Sequence, residues 1–339
     1  MLVVSYTTVS PLPRLLEAVY FLLHFPAGRP GWVLPTTLPS GGRTFLDTRV
    51  PRSPGRLVLD KSTPAPLGRA WSWPNTVYRR SVLTLLPPSE GKLAPESGSR
   101  LTLGTLSWPE LKKPRATILD ALVRICSTSP KRAETALGVT ATQMPFIAQN
   151  ARLRSAPAAP AIEVYSGVLY DALNFSALPA AARKRGDARI AIASALLGLL
   201  RPGDRIPAYR FSADSRIPGL PPLAKLWSEP VGDAIADSAG VIVDMRSGGY
   251  EKLAPVPAEC ADRAVALRVL QDRGGALSVV SHHNKATKGR ITAGLLIDAR
   301  EPRDVDGVAD AFSDLGYRVK HGKPNRAGVT TLNVIVTDL

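Results

Sequence analysis

The chain has 339 residues, 45% of them apolar and 21% charged, a composition that suits a soluble globular protein of one large domain or two modest ones. Its 43 Lys+Arg against 28 Asp+Glu leave a net charge of +15, which implies attraction to polyanions such as nucleic acid, anionic lipid or phosphorylated metabolites. The longest apolar stretches, such as residues 190–200, are too short to cross a bilayer. Two distant cysteines, Cys126 and Cys260, with no CxxC pair, argue against zinc ribbons and dithiol redox chemistry and suit reduced thiols in a cytoplasm.

Residues 1–81 read differently from the rest. They hold 11 of the 31 prolines, and their ten Lys+Arg against three Asp+Glu contribute +7, leaving +8 for residues 82–339. Breakers recur (Pro11, Pro13, Pro26, Pro30, Pro51, Pro54), and the only helical pattern, residues 15–24, is short and isolated. Such a segment buries too little apolar surface to offset its ordering entropy. A targeting peptide fits poorly, because no small-residue cleavage site follows a flanked apolar core. A functional basic arm is a second reading. The favoured one is a start placed too far upstream: Val82 opens a strand-like run, and a bacterial gene can begin at a valine codon. Residues 1–81 are therefore expected to be disordered and dispensable, and residues 82–339 to form the folded domain.

In chain order, residues 82–86 predict a buried strand stopped by Pro87-Pro88. Helical spacing marks residues 118–125, 132–137 and 140–150, and Thr140 with Gln143 fits a capping box. Residues 151–160 form a connector, residues 162–165 a strand, and Gly167 turns the chain into a helix at 169–173. A strand is predicted at 189–194, a helix interrupted or kinked by Pro230 at 221–238, and a strand at 240–245. Residues 263–271 and 276–281 predict a hairpin around Asp272-Arg-Gly-Gly275. Helices follow at 284–299 and 304–315, then strands at 317–320 and 331–336. Interleaved strands and helices with hairpins among them give one α/β domain with a mixed sheet flanked by helices.

Three segments carry chemistry. In residues 281–290 a strand is expected to end and a helix to begin near Asn284, an N-cap residue, with Lys285, Lys288 and Arg290 in its first turns. Cations at a helix start add to its partial positive charge, and together with free N–H groups they favour a bound phosphate or carboxylate. His282 and His283, adjacent on a strand, would point to opposite faces, so no metal site is expected there. After the first strand comes Pro87-Pro-Ser-Glu-Gly-Lys92, which lacks the spacing of a nucleotide-hydrolase P-loop but offers Lys92 to a pocket. Residues 194–204, continuing to Arg210, predict a glycine turn whose backbone N–H groups could meet phosphate, with Arg201 and Arg210 as clamps; a tight turn with surface arginines reads as well. Trp227, with Leu223 and Leu226, reads as core. Asp214, Glu229 and Asp233 have no defined pairing, and neither a Ser-His-Asp constellation nor GxSxG is present.

Five stretches in order resemble the YaaA peroxide-stress family, in a branch with the Pro-Pro-Ser-Glu-Gly-Lys start. They are residues 85–92, 165–171 (Tyr165-Ser-Gly-Val-Leu-Tyr-Asp), 195–202 with 207–210 (Pro-Ala-Tyr209-Arg), Ser247-Gly-Gly-Tyr250, and 281–289. The family's amino terminus falls at Val82. The resemblance implies a cytoplasmic role in the hydrogen peroxide response and in limiting free iron. It also implies an α/β domain with a helix-hairpin-helix-like element, a basic cleft and DNA as partner. The hairpin would be Leu196–Gly198 with Arg201, although Ala195 stands where the family has its first glycine. DNA or phosphate contacts would come from Lys92, Gly198, Arg201, Tyr209, Arg210, Lys285 and Lys288, and a pocket from Ser89, Glu90, Tyr165, Ser247 and Tyr250.

Two functions follow: a non-catalytic DNA binder, or an enzyme using the same cations on a phosphorylated or adenylated small molecule. The first predicts an open basic trough and the second a deep, enclosed cavity. Direct iron sequestration finds little support, given so few cysteines and no clustered His and carboxylates. No cofactor is expected. The shared requirement is that Lys92, Arg201, Arg210 and Lys285 converge in space.

Overall fold

A computed structural model describes residues 82–279 and 281–337 of the chain; the extension expected over residues 1–81 lies outside the described residues. The first apolar run forms β1 (Leu83–Leu86), with all four residues buried. A long excursion follows through α1 (Lys112–Thr128), α2 (Pro130–Leu137), α3 (Pro145–Ala151), β2 (Ala159–Pro160), α4 (Ala161–Val164), α5 (Val168–Leu173) and α6 (Ala180–Arg189). The chain re-enters the sheet as β3 (Ile190–Ser194), doubles back as β4 (Gly198–Leu200), and makes β5 (Arg205–Ile206), which pairs with β2. Next come α7 (Leu223–Ala236), β6 (Ile242–Asp244), α8 (Gly248–Leu253), β7 (Ala264–Arg273) and β8 (Ala276–Val279). The described chain closes with α9 (Ser281–Asp298), α10 (Val305–Asp314), β9 (Arg318–His321) and β10 (Thr330–Val336).

One mixed sheet organises these elements, in the order β4-β3-β1-β6-β7-β10-β9, with β8 also on β7. β3, β1, β6, β7 and β10 are mutually parallel, while β4, β8 and β9 attach antiparallel. Continuous burial of Ile190–Ser194 and Ile242–Asp244 explains why these segments read as apolar runs that end on a polar residue, as strands covered on both faces do. Counted alone, the parallel strands lie in the spatial order second, first, third, fourth, fifth. The chain thus leaves β1 toward one flank to make β3 and returns on the other flank as β6. Connections diverge there, which opens a crevice outside the carboxyl ends of β1 and β6.

Helix packing supports that end of the sheet. α9 packs on α5 and α6, and Gly289 is the reason it comes so close: a Cβ there would overlap the Leu169 carbonyl oxygen and lie 2.9 Å from Leu173 N. Trp227 of α7 is buried as expected, at 1% exposure, and its indole N–H donates to Ala195 O at 2.8 Å.

Several expectations change. Residues 162–165 are not a strand: Ala161–Val164 is a helical turn entered from Pro160, with the Ala161 and Ile162 N–H groups donating to Asp204 and Pro202 carbonyls. A segment of four residues is too short for periodicity alone to separate strand from helix, and tertiary partners decided it. The Thr140–Gln143 capping box exists, with Thr140 N–H on the Gln143 side chain at 3.2 Å, but it caps a 3-10 turn, and a new helix starts at Pro145. α7 runs on through Pro230. α9 begins at Ser281, so Asn284 lies inside the helix rather than capping it, and His282 and His283 are on that helix, not on a strand. Their side chains lie outside the described residues.

Candidate functional site

The loop after β1 is tied down by hydrogen bonds to the segment 164–170. Tyr170 donates its hydroxyl to Pro87 O at 2.8 Å. Ser89 Oγ donates to Gly91 O at 2.5 Å and accepts the Ser166 N–H at 3.1 Å. Leu93 N–H donates to Val164 O at 2.8 Å. These bonds turn Lys92 inward: its ammonium nitrogen reaches Ser89 O at 2.7 Å and Glu90 O at 3.5 Å, and sits 4.4 Å above the Tyr209 ring and 5.3 Å from the Tyr165 ring. Both rings are buried, and their hydroxyls meet at 2.7 Å. Tyr209 OH also meets Ser194 Oγ at 2.7 Å, which accepts the Leu197 N–H at 2.9 Å. A hydroxyl chain therefore fixes the aromatic floor beneath Lys92.

Electrostatics follow from that burial. Lys92 is pushed down to about 7, first by burial and then by the Arg210 guanidinium, with Glu90 opposing. Arg210 Nη1 is 3.1 Å from Glu90 Oε2, so the Glu90 carboxylate serves Arg210. Burial raises Tyr165, Tyr170, Tyr209 and Tyr250 well above the ordinary phenol, which keeps all four neutral.

The second wall comes from the end of β6. Asp244 and Arg246, both buried, form a two-pronged pair at 2.9 and 2.7 Å, and Arg246 also donates to Ala254 O at 2.8 Å. Lys288 of α9, likewise buried, donates to Met245 O at 2.9 Å; burial lowers it, with Asp244 and Glu251 opposing. Burial, with Asp244 next, raises the Glu251 carboxyl, while Arg246 and Lys288 oppose. This network holds the strand-to-helix turn at Ser247, whose carbonyl accepts the Tyr250 N–H at 2.8 Å.

Between the walls lies a cavity of about 780 Å³. Ser89, Glu90, Ser247, Tyr250, Lys285 and Lys288 all line it, joined by Ser166, Tyr170, Asp214, Arg246, Arg268 and Asn284. It opens where β6 stops at Asp244, opposite Ala266, while β7 runs on to Leu267 and Arg268. Lys92 and Arg210 adjoin it through Ser89 and Glu90, and Tyr165 and Tyr209 lie under Lys92. Six of the expected residues thus share one cavity, and four more lie behind its Ser89–Glu90 wall.

Two expected residues lie elsewhere. Arg201 follows β4 and donates to Ala188 O and Ile190 O at 2.8 and 2.9 Å, at the amino-terminal start of β3, with its guanidinium 4.4 Å over Trp108. It is therefore not one of the converging cations. Gly198 opens β4 in a turn between two strands, not between two helices. Its surroundings are core: residues 195–197 are fully buried, and a Cβ on Gly198 would fall 2.7 Å from Trp227. Buried apolar flanks in the sequence already hinted at an interior turn. Arg246 was missed, and the only local hint was its spacing two residues after Asp244 at a strand end.

Fold and crevice together define a mixed α/β protein with a polar, cation-bearing cavity at the point where its strand order reverses. The family model for peroxide stress protein YaaA matches residues 82–322, and the chain belongs to that family. A UPF0246 protein of Streptomyces coelicolor is 39% identical over 261 residues, which covers 76% of this chain and 100% of that one. Another from Corynebacterium efficiens is 39% identical over 254 residues, 74% of this chain and 99% of its own length. A third, from Corynebacterium glutamicum, is 35% identical over 257 residues, 75% and 100% respectively. Among the described residues, no helix is long and apolar enough to cross a membrane.

Proposed function

We propose that this peroxide stress family member works by holding a phosphate-bearing small molecule in the cavity outside the carboxyl ends of β1 and β6. One observation carries the reading: the cavity sits at the reversal of strand order, where open α/β sheets bind ligands, and Lys285, Lys288 and Arg268 line it. Its volume lies within the roughly 300–1,000 Å³ usual for small-molecule sites. Glu90 and Asp214 on the same walls favour a ligand that also presents donors, such as a sugar or base, over a bare polyanion.

DNA binding is the second reading. It is favoured by the +8 charge of residues 82–339 and by exposed Lys285 and Arg268 at the cavity. A role in limiting damage from free iron belongs to the same proposal and would follow from whichever ligand is bound. Calorimetry with inorganic pyrophosphate, beside fluorescence anisotropy with a labelled duplex across salt, separates the two. The small-ligand reading expects saturable pyrophosphate binding that Lys285→Ala weakens about five- to tenfold, the order of one charge-assisted contact. Duplex binding that falls steeply with salt, with no heat from pyrophosphate, would transfer the site to DNA.

A further inference from the structure

We propose that Asn284 selects the ligand of the cavity by accepting a hydrogen bond from one of its hydroxyl groups, so that the ligand is a sugar phosphate, or a nucleotide held by its ribose phosphate; this rests on the small-ligand reading of the cavity. Asn284 lines the cavity beside Lys285. Its Oδ1 is buried and accepts no hydrogen bond. A bare buried acceptor is costly, and folded proteins seldom keep one outside a functional site. Among the described residues one other buried side-chain atom is in that state, Asn333 Oδ1. Asn333 of β10 stands opposite Arg268 of β7, and Arg268 lines the same cavity. Residues directly opposite on paired strands share a face, so this second acceptor lies one strand out from the cavity wall. Both unmatched acceptors thus fall in one region of the molecule, that of the cavity.

The helix explains why Asn284 has nothing to bond. At a helix start, an asparagine side chain accepts from free backbone N–H groups. α9 begins three residues earlier, at Ser281, so Asn284 is past the capping position. Lys288, one turn further along the same helix, donates to Met245 O instead.

The same neighbours define what can satisfy the oxygen. Lys285 and Lys288 repel an ammonium group, so the donor is neutral. Side chains one turn apart are separated by about 5–6 Å, so a phosphate held by these lysines places the donor only a few bonds from phosphorus. A sugar hydroxyl meets that requirement, whereas the exchangeable protons of a nucleotide base lie a whole pentose away. The DNA backbone carries no free hydroxyl between its phosphates and offers this oxygen nothing. Asp214, also on the cavity wall, is a further acceptor suited to a polyol.

The test is calorimetry on the full chain with ribose 5-phosphate and with tetrahydrofurfuryl phosphate, which has the same ring and phosphate but hydrogen in place of each hydroxyl. Wild type should bind ribose 5-phosphate at least about tenfold more tightly, the order of one buried acceptor satisfied against one left bare. Asn284→Leu should close that gap to within about twofold, by weakening ribose 5-phosphate alone. Lys285→Ala should weaken both ligands and keep the gap, because it removes a phosphate contact. Unliganded Asn284→Leu should melt no lower than wild type, since an apolar group replaces a bare buried acceptor. Equal wild-type affinity for the two ring phosphates overturns the proposal, and so does a gap that survives Asn284→Leu. Lower melting temperatures in both Asn284→Leu and Asn284→Ala would make the residue a structural one and overturn it too. If pyrophosphate binds while the two ring phosphates bind equally, the cavity reading survives and only the role of Asn284 falls. If neither pyrophosphate nor ribose 5-phosphate binds, both fall.

Discussion

Gly289 of α9 lies flat against the backbone of Leu169 in α5, with no room for even a methyl group between them. This contact seats α9 so that Lys288, one residue earlier, reaches Met245 O at the end of β6. Gly289→Ala should therefore cost about 2–4 kcal/mol in urea melts, since two backbones would have to separate. Any folded remainder should also bind pyrophosphate more weakly than wild type. A neutral Gly289→Ala would mean that the helices are not in this contact.

The buried Asp244–Arg246 pair makes a different prediction. Arg246→Met leaves a buried carboxylate without its partner and should cost about 3–5 kcal/mol. Adding Asp244→Asn should recover about 1–3 kcal/mol of that, because the two residues act as one unit. Denaturant titration of the single and double variants measures the coupling; strict additivity would contradict the geometry.

Gly198 tests the turn once expected to meet DNA. It has φ of 75° and abuts Trp227, so Gly198→Ala should lose about 2–4 kcal/mol of stability. Duplex and pyrophosphate affinities, corrected for the folded fraction, should not move. A selective loss of DNA binding in a fully stable Gly198→Ala protein would return the turn to the function.

Lys92 links the site to pH. The folded chain releases its proton near 7, whereas the unfolded chain holds it to its ordinary value of 10.5. Between those values the unfolded state carries more protons, so stability should rise with pH through that window and be lowest below pH 7. Lys92→Met should flatten this rise. The stability of wild type relative to Lys92→Met, read from melts at pH 6.5, 8 and 9.5, should rise at each step; a constant difference would place the amine in water.

The site was partly legible along the chain. Ser89, Glu90, Lys92, Ser247, Tyr250, Lys285 and Lys288 sit in short motifs next to strand or helix ends, and strand ends are where an α/β sheet places its ligands. Arg201 looked equivalent because a Pro-Gly turn follows it, yet its guanidinium is turned onto the Ala188 and Ile190 carbonyls. Direction along a strand pair cannot be read from a hairpin motif, and β4 runs back to the far end of the sheet.

Local sequence alone determined the class of fold: strands covered on both faces are predominantly apolar rather than alternating, and that pattern is written in residues 83–86, 190–194 and 242–244. The family, too, was readable from five motifs in order. Only the tertiary structure decided the strand order, and with it where the crevice opens, which cations meet there, and that Lys92 lies on tyrosine rings rather than in water. Those outcomes depend on residues more than forty positions apart, such as Lys92 with Tyr209 and Met245 with Lys288, whose pairing is set by packing rather than by any local preference.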